Sequence, residues 1–269
     1  AHAIMAIVVG IIWFDLPNNQ TSVQDRLGVI FFSLLFITLL NILPTVLTFP
    51  QEKGVFLHEN FNNWYSTHAY FASKAIAELP FAIVLPTIFV SIMFFMVKLR
   101  DDAGSFFLFL LALIVQALAI NSLGLLLGAA VTDPQFAVTT APGTVIPQTL
   151  VCGFLVKWIN MPVWLRWTKW LSTFTYTLQA GAIVVFDGVD LHCDDDELPP
   201  AAKLLMLQTN ITANEICPLT KGKQVLELFD MDVDHGYTYG LCALAGFFVV
   251  FRILAFLALR KQANARVQG

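Results

Sequence analysis

Residues 49–65 read FPQEKGVFLHENFNNWY, and the fold turns on what lies on either side of them. Upstream, residues 28–49 carry no charged side chain. A helix of that length rises about 33 Å, enough for the roughly 30 Å hydrocarbon core of a bilayer. Downstream, residues 79–97 are again uncharged. A plain loop between two spans favours Gly, Ser and Pro. This one instead sets Glu52, Lys53, His58 and Glu59 among Val55, Phe56 and Leu57, the pattern of an amphipathic helix that docks a partner at the membrane surface.

The rest of the chain extends that frame. Hydrophobic residues make up 57% and charged residues 13% of the sequence, against about 25% charged in a soluble domain. The uncharged runs are long and separate, whereas a β-barrel would show segments of about ten residues with alternating polarity. The expectation is an all-α, multi-pass integral membrane protein with six transmembrane helices at 1–16, 28–49, 66–97, 104–131, 135–157 and 237–259. An amphipathic connecting helix occupies 50–65. The stretch 158–186 holds Trp164, Arg166, Trp167, Lys169, Trp170 and Tyr176, and aromatics with flanking cations belong at the membrane–water interface. It reads as re-entrant or surface-lying helices. Residues 1–16 are apolar from the first position, with no basic leader and no small-residue cleavage site before Asp15, and read as a first span cut short.

Charge is unevenly placed. The net charge is −4, and the segment from Asp187 to Asp234 holds most of the acidic residues. That describes a solvated loop, residues 187–236, and argues against nucleic-acid binding. Basic residues do not orient the chain: Lys53, Arg260, Lys261 and Arg266 on one side nearly balance Arg26, Lys98 and Arg100 on the other. Two features of the acidic loop break the tie. Asn210-Ile-Thr is a glycosylation sequon, and Cys193 and Cys217 stand outside the apolar runs. Both suit an extracellular, oxidising side. A Cys193–Cys217 bridge is expected, with two free thiols or a bridge between subunits as alternatives; the sequon at Asn210 is either glycosylated or unused.

Little in the chain suggests bond-making chemistry. No GxSxG, HExxH or phosphate-binding GxxxxGK[ST] pattern occurs, so catalytic residues and cofactors are expected to be absent from it. His192-Cys193 beside Asp194–Glu197 lacks the paired ligand spacing of a metal site and reads as a solvated acidic run. Within the spans, Lys74 and Glu78 sit four apart on one helical face, either as a structural anchor or as a functional ion pair. Arg252 lies eight residues before Arg260, about 12 Å along a helix, either snorkelling to the interface or serving a functional role. The remaining polar residues in the spans, chiefly Asn41, Gln116, Asn121 and Gln148, are uncharged. With 24 Phe in the chain, an apolar path suits hydrophobic or amphipathic cargo better than ions.

The pattern E-K-x-x-F-x-H-E at 52–59, preceding a span, resembles the connecting helix of the G-subfamily ABC exporters, the White–Brown group. The resemblance runs almost end to end. It includes Gly10-Ile-Ile-Trp-Phe, Val23-Gln-Asp-Arg-Leu-Gly, Tyr70-Phe-Ala-Ser-Lys with Glu78-Leu-Pro, Gly153-Phe-Leu-Val, Pro162-Val-Trp-Leu-Arg-Trp, and Arg252-Ile-Leu-Ala-Phe near the end, the last similar to plant-type members. It implies the transmembrane half of an exporter for lipid, sterol or xenobiotic cargo. ATP and Mg would be used only by a nucleotide-binding domain upstream of this chain, and a second half-transporter would complete a homo- or heterodimer in a eukaryotic plasma membrane or an internal one. The resemblance further assigns Phe36, Leu39, Leu40, Ile146 and Thr149 to a central cleft between the second and fifth spans. It gives Phe154 and Leu155 to an apolar valve, where a Leu-Leu pair is frequent in the family, and Glu52, Lys53, His58 and Glu59 to the contact with the nucleotide domain. The competing readings are an ATP-independent channel or secondary transporter, or a fragment that transports nothing. Inverted repeats with broken helices would mark a secondary transporter, and the sequence has no evident internal repeat.

Overall fold

The longest element runs straight through the stretch that decides the sequence reading. In the computed structural model, which describes residues 2–62, 64–131, 134–156, 158–192, 220–231, 233 and 235–267, helix α2 spans Ser22–Phe61 without interruption. Its 40 residues rise about 60 Å, twice a hydrocarbon core. The span expected at 28–49 and the connecting helix expected at 50–65 are thus one helix, which carries Pro44 and Pro50 inside it. A proline deletes one backbone hydrogen bond, but here the flanking residues are well packed. Phe49, Phe56 and Leu57 are buried in a cluster with Leu125, Ala129, Ala255 and Leu259 from two other helices.

Four helices are long and apolar enough to cross a membrane among the described residues: α2, α3 (Thr67–Val97), α4 (Ala103–Ala130) and the last helix, α8 (Gly236–Val267). Helix α1 (His2–Ile12) is shorter and packs on α3, where Gly10 lets the Met96 side chain approach. Helix α5 covers Pro134–Val151. It stops six residues before the end expected from sequence, because Gly153 adopts φ +95° and Trp158 fills the space where a Cβ would sit, 2.9 Å away. The indole N–H of Trp158 donates to the last carbonyl of α5, Val151 O, at 3.0 Å. Two 3-10 helices follow, Trp158–Asn160 and Val163–Leu171, and then α6 (Thr173–Phe186). At 14 residues, about 21 Å, α6 is too short to cross a bilayer core, yet nearly all of it is buried. A short helix α7 (Gly222–Leu228) precedes α8. No strand forms among the described residues; two isolated bridges, Asn19 with His192 and Asp190 with Lys221, tie loops together.

The two ends of the bundle are built differently. At the end where α1, α3 and α6 finish, basic side chains are spent on backbone. Arg26 donates to Leu99 O at 2.6 Å and Leu16 O at 2.8 Å, and Arg100 donates to Val184 O at 2.8 Å and Asp187 O at 2.7 Å. Arg100 thus satisfies carbonyls at the end of α6, which that helix leaves without partners, and Arg26 satisfies carbonyls of the loops that follow α1 and α3. Lys98 pairs with Asp15 at 2.9 Å, and that contact holds the lysine above its ordinary pKa. Asp102 caps α4 by accepting from Ser105 N at 3.0 Å and Ser105 Oγ at 3.0 Å, which keeps its carboxyl below the ordinary value. In mid-bundle the polar residues are uncharged. The Gln116 amide donates to Thr38 Oγ1 (3.3 Å) and Thr173 Oγ1 (3.2 Å) and accepts from Thr177 (2.9 Å). Thr173 also donates to Gln148 Oε1 at 3.0 Å. Gln116 thereby links α2, α4 and α6, with α5 joined through Gln148, and satisfies groups that would otherwise be orphaned in an apolar interior.

Candidate functional site

Charged groups from α2, α3 and α8 meet at the other end of the bundle, where α2 and α4 finish. Glu52 of α2 accepts from Lys74 of α3. Lys74 lies 3.5 Å from Glu78, one turn further along α3. Glu78 receives Arg252 of α8 at 3.3 Å. The same guanidinium donates to Ser122 Oγ at 3.0 Å and Asn121 Oδ1 at 3.3 Å, both on α4. Asn121 in turn donates to Thr45 Oγ1 at 3.3 Å, back on α2. The contacts form a closed circuit through four helices, leaving α2 at Glu52 and rejoining it two turns earlier at Thr45. Two acids face two bases, so the circuit is neutral. That makes buried charge tolerable in an apolar bundle, where an isolated ion would be expensive. Arg252 is 9% exposed, and the Phe248 ring lies 5.4 Å from its guanidinium carbon, close enough for cation–π attraction.

Beside the circuit, α2 and α4 touch along a seam of small residues. Gly124 and Gly128 are one turn apart on α4, and Thr45 and Phe49 are one turn apart on α2. A Cβ built on Gly124 would sit 3.1 Å from Thr45, and one on Gly128 would sit 3.0 Å from Phe49. This is the close backbone approach that small residues four apart permit in membrane helices. One turn further, Lys53 closes the seam. It is 4% exposed and donates to Gly128 O (3.4 Å), Ala129 O (3.1 Å) and Val131 O (2.7 Å). Gln262 of α8 adds a bond to Ala129 O at 2.7 Å. A cation at a helix C-terminus satisfies orphan carbonyls and complements the dipole.

These contacts sort the residues that sequence places at a nucleotide-domain contact. Lys53 points into the bundle. Glu52 is engaged with Lys74. Glu59 accepts from the Tyr65 hydroxyl, and burial together with that bond pushes the Tyr65 pKa up to about 12. His58 is exposed, with Asn62 Nδ2 3.4 Å from its Nδ1. The exposed stripe of this part of α2 is Gln51, Gly54, Val55, His58 and Phe61, at helical spacing. Val55 is 59% exposed. The exposed surface of this part of α2 is therefore mostly uncharged, with Lys53 buried and Glu52 and Glu59 engaged by Lys74 and Tyr65.

The cleft candidates do not share one environment. The Phe36 ring sits between His2, 5.7 Å away, and Phe89 of α3, 4.9 Å away. Leu39 packs half-buried against the main core. Leu40 lines a cavity of about 470 Å³ between α2 and α3, with Asn41, Thr48, Glu78, Phe81 and Asn121 among its walls. On α5, Ile146 is exposed, while Thr149 is buried and donates to Ile146 O at 2.7 Å. Phe154, in the bent segment after α5, stacks on Phe31 of α2 at 4.6 Å; Leu155 beside it is exposed. Cys193, Cys217 and Asn210 lie outside the described residues. The circuit's centre, Arg252, is a residue that snorkelling and a functional role explain equally well from sequence. The signal available was one Arg in residues 235–259, a stretch with no other charged side chain, which calls for a carboxylate partner.

A family profile described as "ABC-2 type transporter" matches residues 1–186. Among curated relatives, ABC transporter G family member 1 of Dictyostelium discoideum is 29% identical over 262 residues, covering 96% of this chain and 31% of that protein. Protein white of Drosophila melanogaster is 30% identical over 267 residues, covering 97% and 36%. ABC transporter G family member 25 of Arabidopsis thaliana is 29% identical over 261 residues, covering 95% and 37%. The chain spans about a third of the length of these relatives.

Proposed function

The chain belongs to the ABC-2 type transporter family, and on that premise we propose that it is the transmembrane half of an ATP-driven exporter of hydrophobic or amphipathic molecules. The observation that carries the reading is helix α2. It starts among the spans, continues through Pro50, and ends in an exposed, mostly uncharged stripe at Gln51, Gly54, Val55, His58 and Phe61. A nucleotide-binding domain outside this chain, holding ATP and Mg²⁺, would press on that stripe. Its displacement reaches α3 through Glu52–Lys74, α8 through Glu78–Arg252, and α4 through Lys53 and Asn121. Coupling of this kind needs contacts whose energy differs between an inward-open and an outward-open state. A neutral circuit of charges shared among four helices is suited to exchange partners in that way.

The same reading supplies topology and partners. Six spans with the acidic segment outside put the circuit and the α2 stripe at the cytoplasmic face. The basic residues of the opposite end do not argue against this, since Arg26, Arg100 and Lys98 are held by carbonyls and by Asp15. A second half-transporter would cover the exposed apolar face of α5 at Ile146 and Leu150. Of the cleft candidates, Leu40 and Ile146 keep surfaces that cargo can reach, and Phe36 and Thr149 act in packing.

The test is export by the full-length protein in proteoliposomes loaded with a lipophilic fluorescent dye. Export is expected to require hydrolysable ATP and to survive collapse of ion gradients. Export without ATP that tracks a proton or sodium gradient would replace this reading with secondary transport.

A further inference from the structure

The second 3-10 helix, Val163–Leu171, extends for nine residues, whereas such helices rarely exceed three or four. With three residues per turn, side chains at i and i+3 eclipse. Trp164, Trp167 and Trp170 therefore form one ridge, and Arg166 and Lys169 lie together on the next. An α-helix would fan the three indoles over about 120°. All three are exposed, at 73%, 61% and 52%. A row of indoles flanked by cations suits the headgroup layer of a bilayer.

Behind the ridge lie two adjoining cavities, of about 410 and 300 Å³, which share Trp158, Lys169 and Asp230 as walls. The Lys169 ammonium stands 4.5 Å from the Trp158 ring and 4.9 Å from the Trp170 ring. Arg166, whose Nε donates to Met161 O at 3.2 Å, is a second cation of the larger cavity, Glu227 completes its acidic side, and Tyr239 lines the smaller one. Among the described residues, Lys169, Glu227 and Asp230 form no ion pair. Opposite charges that share a cavity without closing on one another leave a gap with a fixed dipole. The ligand that satisfies it carries an anion toward Lys169 and a cation toward the carboxylates and an aromatic face. The volumes are within the range of small-ligand pockets. Trp170 belongs both to the exposed ridge and to the cavity wall, so the site opens toward the layer in which the ridge sits.

We propose that this site binds the zwitterionic headgroup of a bilayer phospholipid. The phosphate lies at Lys169, and the quaternary ammonium lies between Asp230 and Tyr239. Anionic lipid lacks the cationic half and leaves the carboxylates uncompensated. Free phosphocholine lacks the chains that the tryptophan ridge would hold in the membrane. The site stands on membrane residence and not on ATP-driven export.

The experiment uses the full-length protein in maltoside detergent, titrated with dihexanoyl-phosphatidylcholine below its micelle-forming concentration and read by tryptophan fluorescence. The expected result is saturable binding, at least tenfold weaker for dihexanoyl-phosphatidylglycerol and for phosphocholine alone. Lys169→Gln and Asp230→Asn should each weaken it tenfold or more, and Lys169→Arg should retain it. Equal affinity for the two lipids on the unmodified protein would overturn the proposal whatever the variants do. So would affinity unchanged in Lys169→Gln, and phosphocholine binding as tightly as the lipid would overturn the lipid assignment.

Discussion

Replacing Arg252 by Met keeps an unbranched stem and removes the guanidinium with its charge. The variant leaves Glu52 and Glu78 sharing one cation, Lys74, and takes donors away from Ser122 and Asn121. Interhelical hydrogen bonds in a membrane average about 0.6 kcal/mol, so the Ser122 and Asn121 contacts account for roughly 1 kcal/mol. Orphaning part of a buried ion pair costs more, about 3–5 kcal/mol where one partner is lost outright. Glu78 keeps Lys74, so a total near 3 kcal/mol is expected, about 150-fold in the folded-to-unfolded ratio. Adding Glu78→Gln removes the surplus carboxylate. The double variant should recover about 2 kcal/mol of the loss, although a second contact has been deleted. The assay is equilibrium unfolding in mixed detergent micelles, followed by circular dichroism, on all four members of the cycle. A cost for Arg252→Met below about 0.5 kcal/mol, or a double variant as unstable as the sum of the singles, would show that the contacts do not act as a charge circuit.

Two further outcomes follow from particular contacts. Gly128→Ala should destabilise by about 1–3 kcal/mol, because its Cβ would stand 3.0 Å from the fully buried Phe49; Gly143→Ala, with nothing within 4 Å of the added Cβ, should be neutral or slightly stabilising, and equal effects in the same unfolding assay would refute the seam. The bonds from Ser105 and Gly104 hold the Asp102 carboxyl below its ordinary value of 3.8, so its capping contribution is present above that value and is lost as pH falls through the lowered one. Amide protection at the start of α4, taken relative to the intrinsic exchange rate at each pH, should therefore fall in acid, and Asp102→Asn, which keeps an acceptor, should remove that pH dependence; an unchanged protection profile would contradict the cap.

The fold was legible in the sequence where the signal is local. Uncharged runs located α2, α3, α4 and α8, and the tryptophan-rich stretch after α5 was set apart from clean spans because Arg166 and Lys169 interrupt it. Helix α5 ends six residues before the end that sequence predicts, because only tertiary packing, Trp158 filling the space beside Gly153, distinguishes a helix-ending glycine from one inside a membrane helix. At the candidate site, Lys74 and Glu78 could be paired from their spacing alone. Arg252 could not be joined to Glu78, since the two are 174 residues apart and snorkelling explained the arginine equally well. Glu52, Lys53, His58 and Glu59 read from sequence as one docking surface because they are polar. The structure separates them by direction, and in a helix with polar residues on more than one face the buried side is set by its neighbours. Lys53 is the instructive case: its partners are three carbonyls, which leave no trace in side-chain identity.

The most direct test of the central claim is the number of molecules exported per ATP hydrolysed by the full-length protein, compared with its Lys74→Met variant. Lys74 joins α2 to α3 and lies away from the α2 stripe that would meet the nucleotide domain. If the circuit transmits the motion, ATP hydrolysis persists while the ratio falls at least tenfold. A ratio equal to that of the unmodified protein, with both rates intact, would contradict the account.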